Sequence, residues 1–159
     1  MRTPLCTGAF AMPSLSNLRS RHAVGVPEAR AMLTMPLLAV AADGRIDGAL
    51  LSHVLSLCGE NPILRRLGTP VVAQLGKAIM EDMVERGAQV LFFEAVETLP
   101  RSLRETALCF AIRLCCDDGH LDPEEHDALS AMAEIMDIDA ARFCILADVM
   151  MTLQRGDAD

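Results

Sequence analysis

From Glu28 to Leu153 the apolar residues recur at three- and four-residue spacings with few β-branched runs. That period buries one face of a helix and cannot line one face of a strand. The punctuation agrees with it. Thr69-Pro70 and Asp122-Pro123 pair a capping residue with a proline that opens a helix, Asp47 and Asp139 are further caps, and Pro100 cannot continue the helix before it. Gly59 suits the left-handed closing position, and Gly87 ends the helix from Val71. The spacing predicts helices over Pro27 to Ala42, Asp47 to Leu57, Val71 to Arg86, Ala88 to Thr98, Arg101 to Cys116, Pro123 to Met136, and from Asp139 to Leu153. Pro36 should kink the first of these or mark its true start. The helix from Arg101, with Leu103, Ala107, Phe110, Ala111 and Leu114 inward, is expected at the centre. The expectation is an all-α, single-domain bundle of about seven short helices over residues 28–153.

Residues 1–27 carry Arg2, Arg19 and Arg21, no acid, and Pro4, Pro13 and Pro27. They read as a poorly ordered arm. A transit peptide is the alternative, and Met12 could also be the initiator. Residues 154–159 read as a flexible tail. A chain of 159 residues, 52% of them hydrophobic, buries enough surface to fold without disulfides or a structural metal. The six cysteines form no CxxC pair and mostly sit in apolar helical stretches, so they read as reduced core residues in a cytoplasmic protein. The longest apolar run, Met35 to Ala42, is too short to span a bilayer. Met80, Met83, Met132, Met136, Met150 and Met151 fall at helical spacing and read as core filler.

Acids outnumber bases by 22 to 14, giving a formal charge of −8, and the bases do not cluster. With no Trp or Tyr and only five Phe, the chain lacks both the basic patch and the stacking surface that nucleic acid requires.

A repeat carries the candidate chemistry. Ala42-Asp43-Gly44-Arg45-Ile46-Asp47 recurs as Asp117-Asp118-Gly119-His120-Leu121-Asp122, each copy following an apolar helix and opening another. Glycine permits the turn, the aliphatic residue pins it to the core, and the second aspartate caps the next helix. The second copy holds more acid than capping needs. Asp117, Asp118, Asp122, Glu124, Glu125 and Asp127 fall within eleven residues that contain no Lys or Arg. Such carboxylates repel one another unless a cation relieves them. Hard oxygens at a turn suit Ca²⁺ or Mg²⁺, and His120 or His126 would widen the choice to Mn²⁺ or Zn²⁺. The rival reading is a solvated acidic face. An EF-hand fails, because its first and third ligands would fall on Leu114 and Cys116 in one copy and on Ala39 and Ala41 in the other.

The paired motif, an apolar Ala-rich helix ending in Asp-Gly-x-(Ile/Leu)-Asp with glutamate three positions later, resembles the TerB-like tellurite-resistance family and the N-terminal domain of DjlA-type DnaJ-like proteins. The resemblance covers about residues 30–152. It implies a seven-helix cytoplasmic bundle with an internal pseudo-twofold repeat, an acidic surface that takes a divalent cation, a role in tellurite or general stress resistance, and work beside a TerC-type membrane protein. Carried onto this chain, the second motif is complete at Asp118, Gly119, Asp122 and Glu125. The first keeps Asp43, Gly44 and Asp47 but has Leu50 where the glutamate belongs. The metal residues implied are therefore Asp118, Asp122 and Glu125, with Asp43 and Asp47 added if the two turns meet.

Catalysis has little support: no Gly-rich loop precedes Lys77, the only lysine, and no serine motif stands beside a histidine. Cys115 and Cys116 lie beside Asp117 and Asp118 at a helix C-terminus, a setting that disfavours thiolate. The chain is expected to be non-enzymatic. A metal-independent alternative remains, in which the acidic turn meets a basic partner or an apolar helix face near Phe92 and Phe93 meets another helix or a second copy.

Overall fold

The computed structural model describes residues 25–41, 52–56, 59–116 and 119–156. Among these there is no strand, and the helices pack as one all-α bundle. In chain order they are α1 (Val26–Ala41), a helical stretch at 52–56 (α2), α3 (Pro62–Leu67), α4 (Thr69–Arg86), α5 (Ala88–Thr98), α6 (Arg101–Cys115), α7 (Pro123–Ile135) and α8 (Ala140–Gln154). The first turn of the repeat, with Asp43 and Asp47, lies outside the described residues, and so does Asp118. The pseudo-twofold relation and the meeting of the two turns fall with them.

Helix α1, more than α6, is the centre. Ala29, Ala31 to Leu38 and Val40 are all buried. Met32, Met35 and Leu38 join one hydrophobic cluster with Leu108, Ile112, Leu129, Met136 and Phe143, while Ala29, Leu33 and Leu37 join a second with Val54, Leu64, Val72, Ile79 and Leu91. A helix that divides two cores is apolar all round, so it has no polar face from which its position could be read. Pro36 does not start α1, which runs through it. The methionines expected in the core are there: Met136 is buried, and Met80, Met83, Met132, Met150 and Met151 pack against the two clusters.

Other boundaries differ from expectation in small, physical ways. Helix α3 was not expected. Asn61-Pro62 opens it, with Asn61 Oδ1 accepting from the N–H groups of Ile63 at 2.8 Å and Leu64 at 3.3 Å. Its carbonyl end stops at Gly68 (φ 82°), which also caps α4, so Thr69 stands inside α4 instead of capping it. Gly59 is not among the positive-φ glycines, which are Gly68, Gly87 and Gly119.

One junction locks the lower half of the bundle. α7 closes with Ile138 N–H donating to Ala133 O at 2.9 Å and Asp137 N–H donating to Glu134 O at 3.1 Å. This is a Schellman closure, and Asp137 takes its left-handed position at φ 59°. Arg104, only 15% exposed, donates to Asp137 Oδ2 at 2.9 Å and to the carbonyls of Met136 at 3.1 Å, Val96 at 3.3 Å and Leu99 at 3.4 Å. One guanidinium thus serves the C-terminal carbonyls of two helices.

Hydrogen bonds from Arg101 and Arg104 hold the Asp137 carboxyl below its ordinary value, as bonds from Arg86 and Arg142 do for Glu94 and Glu105. A depressed carboxylate contributes stability that is present above the unfolded-state value and lost as pH falls through the folded one. Thermal midpoints should therefore hold level above about pH 5 and fall steadily below about pH 4. A midpoint that is flat or rising between about pH 5 and pH 3 would contradict these ion-pair assignments.

Candidate functional site

The second turn of the repeat is built as its residues dictate. Gly119 is buried at φ 81° and donates its N–H to Cys116 O at 2.9 Å, which turns the chain off the end of α6. Leu121 packs against the main core cluster and anchors the loop, as its place in the motif requires. Asp122 then caps α7. Its Oδ1 accepts from Glu125 N–H at 2.9 Å, and Glu125 Oε2 accepts from Asp122 N–H at 3.1 Å, a reciprocal capping box with Pro123 as the first helical residue.

Of the residues expected to hold metal, Asp122 and Glu125 are brought together, but by each other's backbone N–H groups. Both sit where the partial positive charge of a helix N-terminus already favours carboxylate. Among the described residues, no group of three or more His, Cys, Asp or Glu is gathered as a metal would need. Asp118, Asp43 and Asp47, the remaining members of the expected set, are outside the described residues.

Glu124 and Asp127, exposed on the first turns of α7, have no capping role. His126 and buried Phe143 of α8 meet edge to face, centroids 5.2 Å apart, and His126 Nδ1 is 3.7 Å from Asp127. The arrangement is a rigid helix start with its carboxylates fixed and its surplus negative charge facing water.

One contact was not legible in the sequence. Residue 155, assigned there to a tail, caps α8 and crosses the turn. A Cβ added to Gly119 would stand 3.2 Å from Arg155 Cγ, 3.3 Å from its N and 3.4 Å from its Cα. Gly119→Ala must therefore both adopt a left-handed backbone and push the end of α8 aside. The expected loss is about 1–3 kcal/mol in chemical denaturation. A neutral Ala would show that the α8 end does not rest on this turn.

Three of the four cysteines among the described residues are half-buried or buried. Cys116 is fully buried in the main cluster, Cys115 packs against it, and burial followed by the nearby Glu105 carboxylate pushes the Cys109 thiol up. Cys144, the fourth among the described residues, is exposed on α8. Phe92 is buried and Phe93 is 46% exposed, their rings meeting edge to face. No helix among the described residues is long and apolar enough to cross a membrane. Compared with family models, with curated proteins and with solved structures, the chain matches none.

Proposed function

We propose that the chain is a non-catalytic helical binding module that presents the acidic start of α7 to a basic partner and needs no metal to do so. The observation that carries this reading is the capping box. It pairs one oxygen each of Asp122 and Glu125 with the other's backbone N–H, and it leaves Glu124 and Asp127 exposed beside them with no Lys or Arg anywhere from 117 to 127. Fixed charges of one sign recruit and orient a complementary partner more than they add raw affinity. The resemblance to the TerB-like family supports a stress-resistance setting. A TerC-type membrane protein would suit such a surface, since cytoplasmic loops of membrane proteins are rich in Lys and Arg.

The second reading is a divalent cation at Asp118, Asp122 and Glu125, with Asp43 and Asp47 as further donors. The positive-φ turn at Gly119, the glycine of the motif, supports it. Only the carboxylate oxygens not used in capping would be available, and the ion's identity among Ca²⁺, Mg²⁺, Mn²⁺ and Zn²⁺ would follow from them.

The basic-partner reading is tested with a labelled oligolysine peptide at low salt. Glu124→Gln with Asp127→Asn should weaken binding about tenfold, while Glu81→Gln with Glu85→Gln, the same charge change on exposed residues of α4, should have little effect. Equal losses from both pairs would mean that only net charge is sensed and would sink the assignment to α7.

A further inference from the structure

Helix α8 carries apolar side chains on its outer face as well as its inner one. Phe143 and Ala147 are buried and Leu146, Met150 and Met151 are half-buried against the bundle, yet Ile145, Val149 and Leu153 are 54%, 51% and 71% exposed. These three stand at i, i+4 and i+8, one continuous aliphatic line along the outer face, with Ala141 extending it by a turn. A helix with apolar side chains on both faces is ordinarily covered on both. Val84, Val90 and Phe93, also exposed, stand among acids, Val84 beside Glu81 and Glu85, Val90 and Phe93 beside Glu94 and Glu97, while exposed Val26, Val71 and Ile135 are scattered singly on α1, α4 and α7.

We infer that a second copy of this chain covers the α8 face, through an antiparallel pairing of α8 with itself. Charge selects that occupant. Two copies of a chain of charge −8 repel across most of their surface, but α8 contains a single acid, Asp148, against Arg142, with Arg155 at its C-cap. Arg142 is already used, bonded to both oxygens of Glu105 at 3.0 and 2.7 Å. Asp148 and Arg155 have no ionic partner among the described residues, and they lie seven residues apart, on one edge of the helix. In a twofold antiparallel pair like edges meet, so Asp148 of each copy faces Arg155 of the other, and the contact is made twice. The aliphatic line then lies between the helices. One helix face is smaller than the roughly 800 Å² per partner of a standard interface, so the dimer belongs to the weak, concentration-dependent class.

Sedimentation velocity of the full chain, from about 1 to 300 μM, tests this. The expected result is a mass that rises towards twice that of the chain, with Val149→Asp monomeric throughout. Asp148→Arg alone should weaken association about tenfold or more, and Asp148→Arg combined with Arg155→Asp should restore it. Circular dichroism of each variant confirms that the fold is kept. A chain monomeric over the whole range, a dimer that Val149→Asp leaves intact, or a charge swap that fails to restore association each overturns the proposal. The Val149→Asp outcome does not depend on what the acidic turn binds, since Val149 lies on the outer face of α8.

Discussion

Arg104→Ala should lower the unfolding free energy by about 3 kcal/mol, far beyond what a surface arginine is worth. The reason is the number of groups that one side chain satisfies. Removing the guanidinium strands the carbonyls of Val96, Leu99 and Met136 in a part-buried setting, and each buried acceptor left unpaired costs about 1–3 kcal/mol. It also takes a partner from Asp137, a non-glycine residue at φ 59° whose carboxylate helps hold that conformation. For a chain of this size the midpoint should fall by roughly 6–12 °C. Arg101→Ala is the control: Arg101 is 81% exposed and touches the same carboxylate at 3.2 Å, so its loss should barely move the midpoint. If the two variants melt alike, Arg104 is a surface ion pair and not a clamp on two helix ends.

Phe143→Ala should be at least as damaging, about 3–5 kcal/mol. The ring is 1% exposed in the main cluster, it is among the largest fully buried side chains, and it also seats His126 of α7. No smaller neighbour can fill the cavity, because the surrounding helix ends are fixed by caps at Asp122 and Asp139. Phe143→Leu, which keeps most of the volume, should lose less than half as much. Chemical denaturation of the two variants separates them, and equal losses would mean that α8 is held by something other than this side chain.

These two positions show where the sequence was readable and where it was not. Local chemistry was legible: Asp122-Pro123 and Asp139 start α7 and α8 and Gly87 divides α4 from α5, whereas the return half of the Asp122 cap, from Glu125, was not foreseen because that glutamate was read as a ligand. The Asn61-Pro62 start has the same signature, but it opens a helix of six residues, too short for any period to support it. Central α1 was placed second to α6 because an amphipathic stripe is easier to read than a helix buried on both sides. Arg104 could not be singled out at all. Its partners Met136 and Asp137 lie more than thirty residues away, and nothing local marks the pairing.

The candidate site divides in the same way. The turn, the anchor at Leu121 and the cap were all legible, since each is a relation between near neighbours. The Arg155 crossing over Gly119 was not, because it depends on where α8 ends in space. The carboxylate count suggested an ion; of those carboxylates Asp122 and Glu125 each accept from the other's backbone N–H at a helix end that itself stabilises them, while Asp118, Asp43 and Asp47 lie outside the described residues.

The proposed basic-partner surface at the start of α7 should need no metal. Far-UV circular dichroism follows unfolding in a chain without Trp, and the protein is first stripped with chelator and then titrated with Ca²⁺, Mg²⁺, Mn²⁺ and Zn²⁺ against an inert salt of equal ionic strength. A ligand that binds only the folded state at 100 times its Kd adds about 2.7 kcal/mol, which moves the midpoint by roughly 5–11 °C. The account expects no ion to exceed the salt control. One ion that does, with the response lost in an Asp118→Asn, Glu125→Gln variant, would contradict it and establish the turn as a cation site.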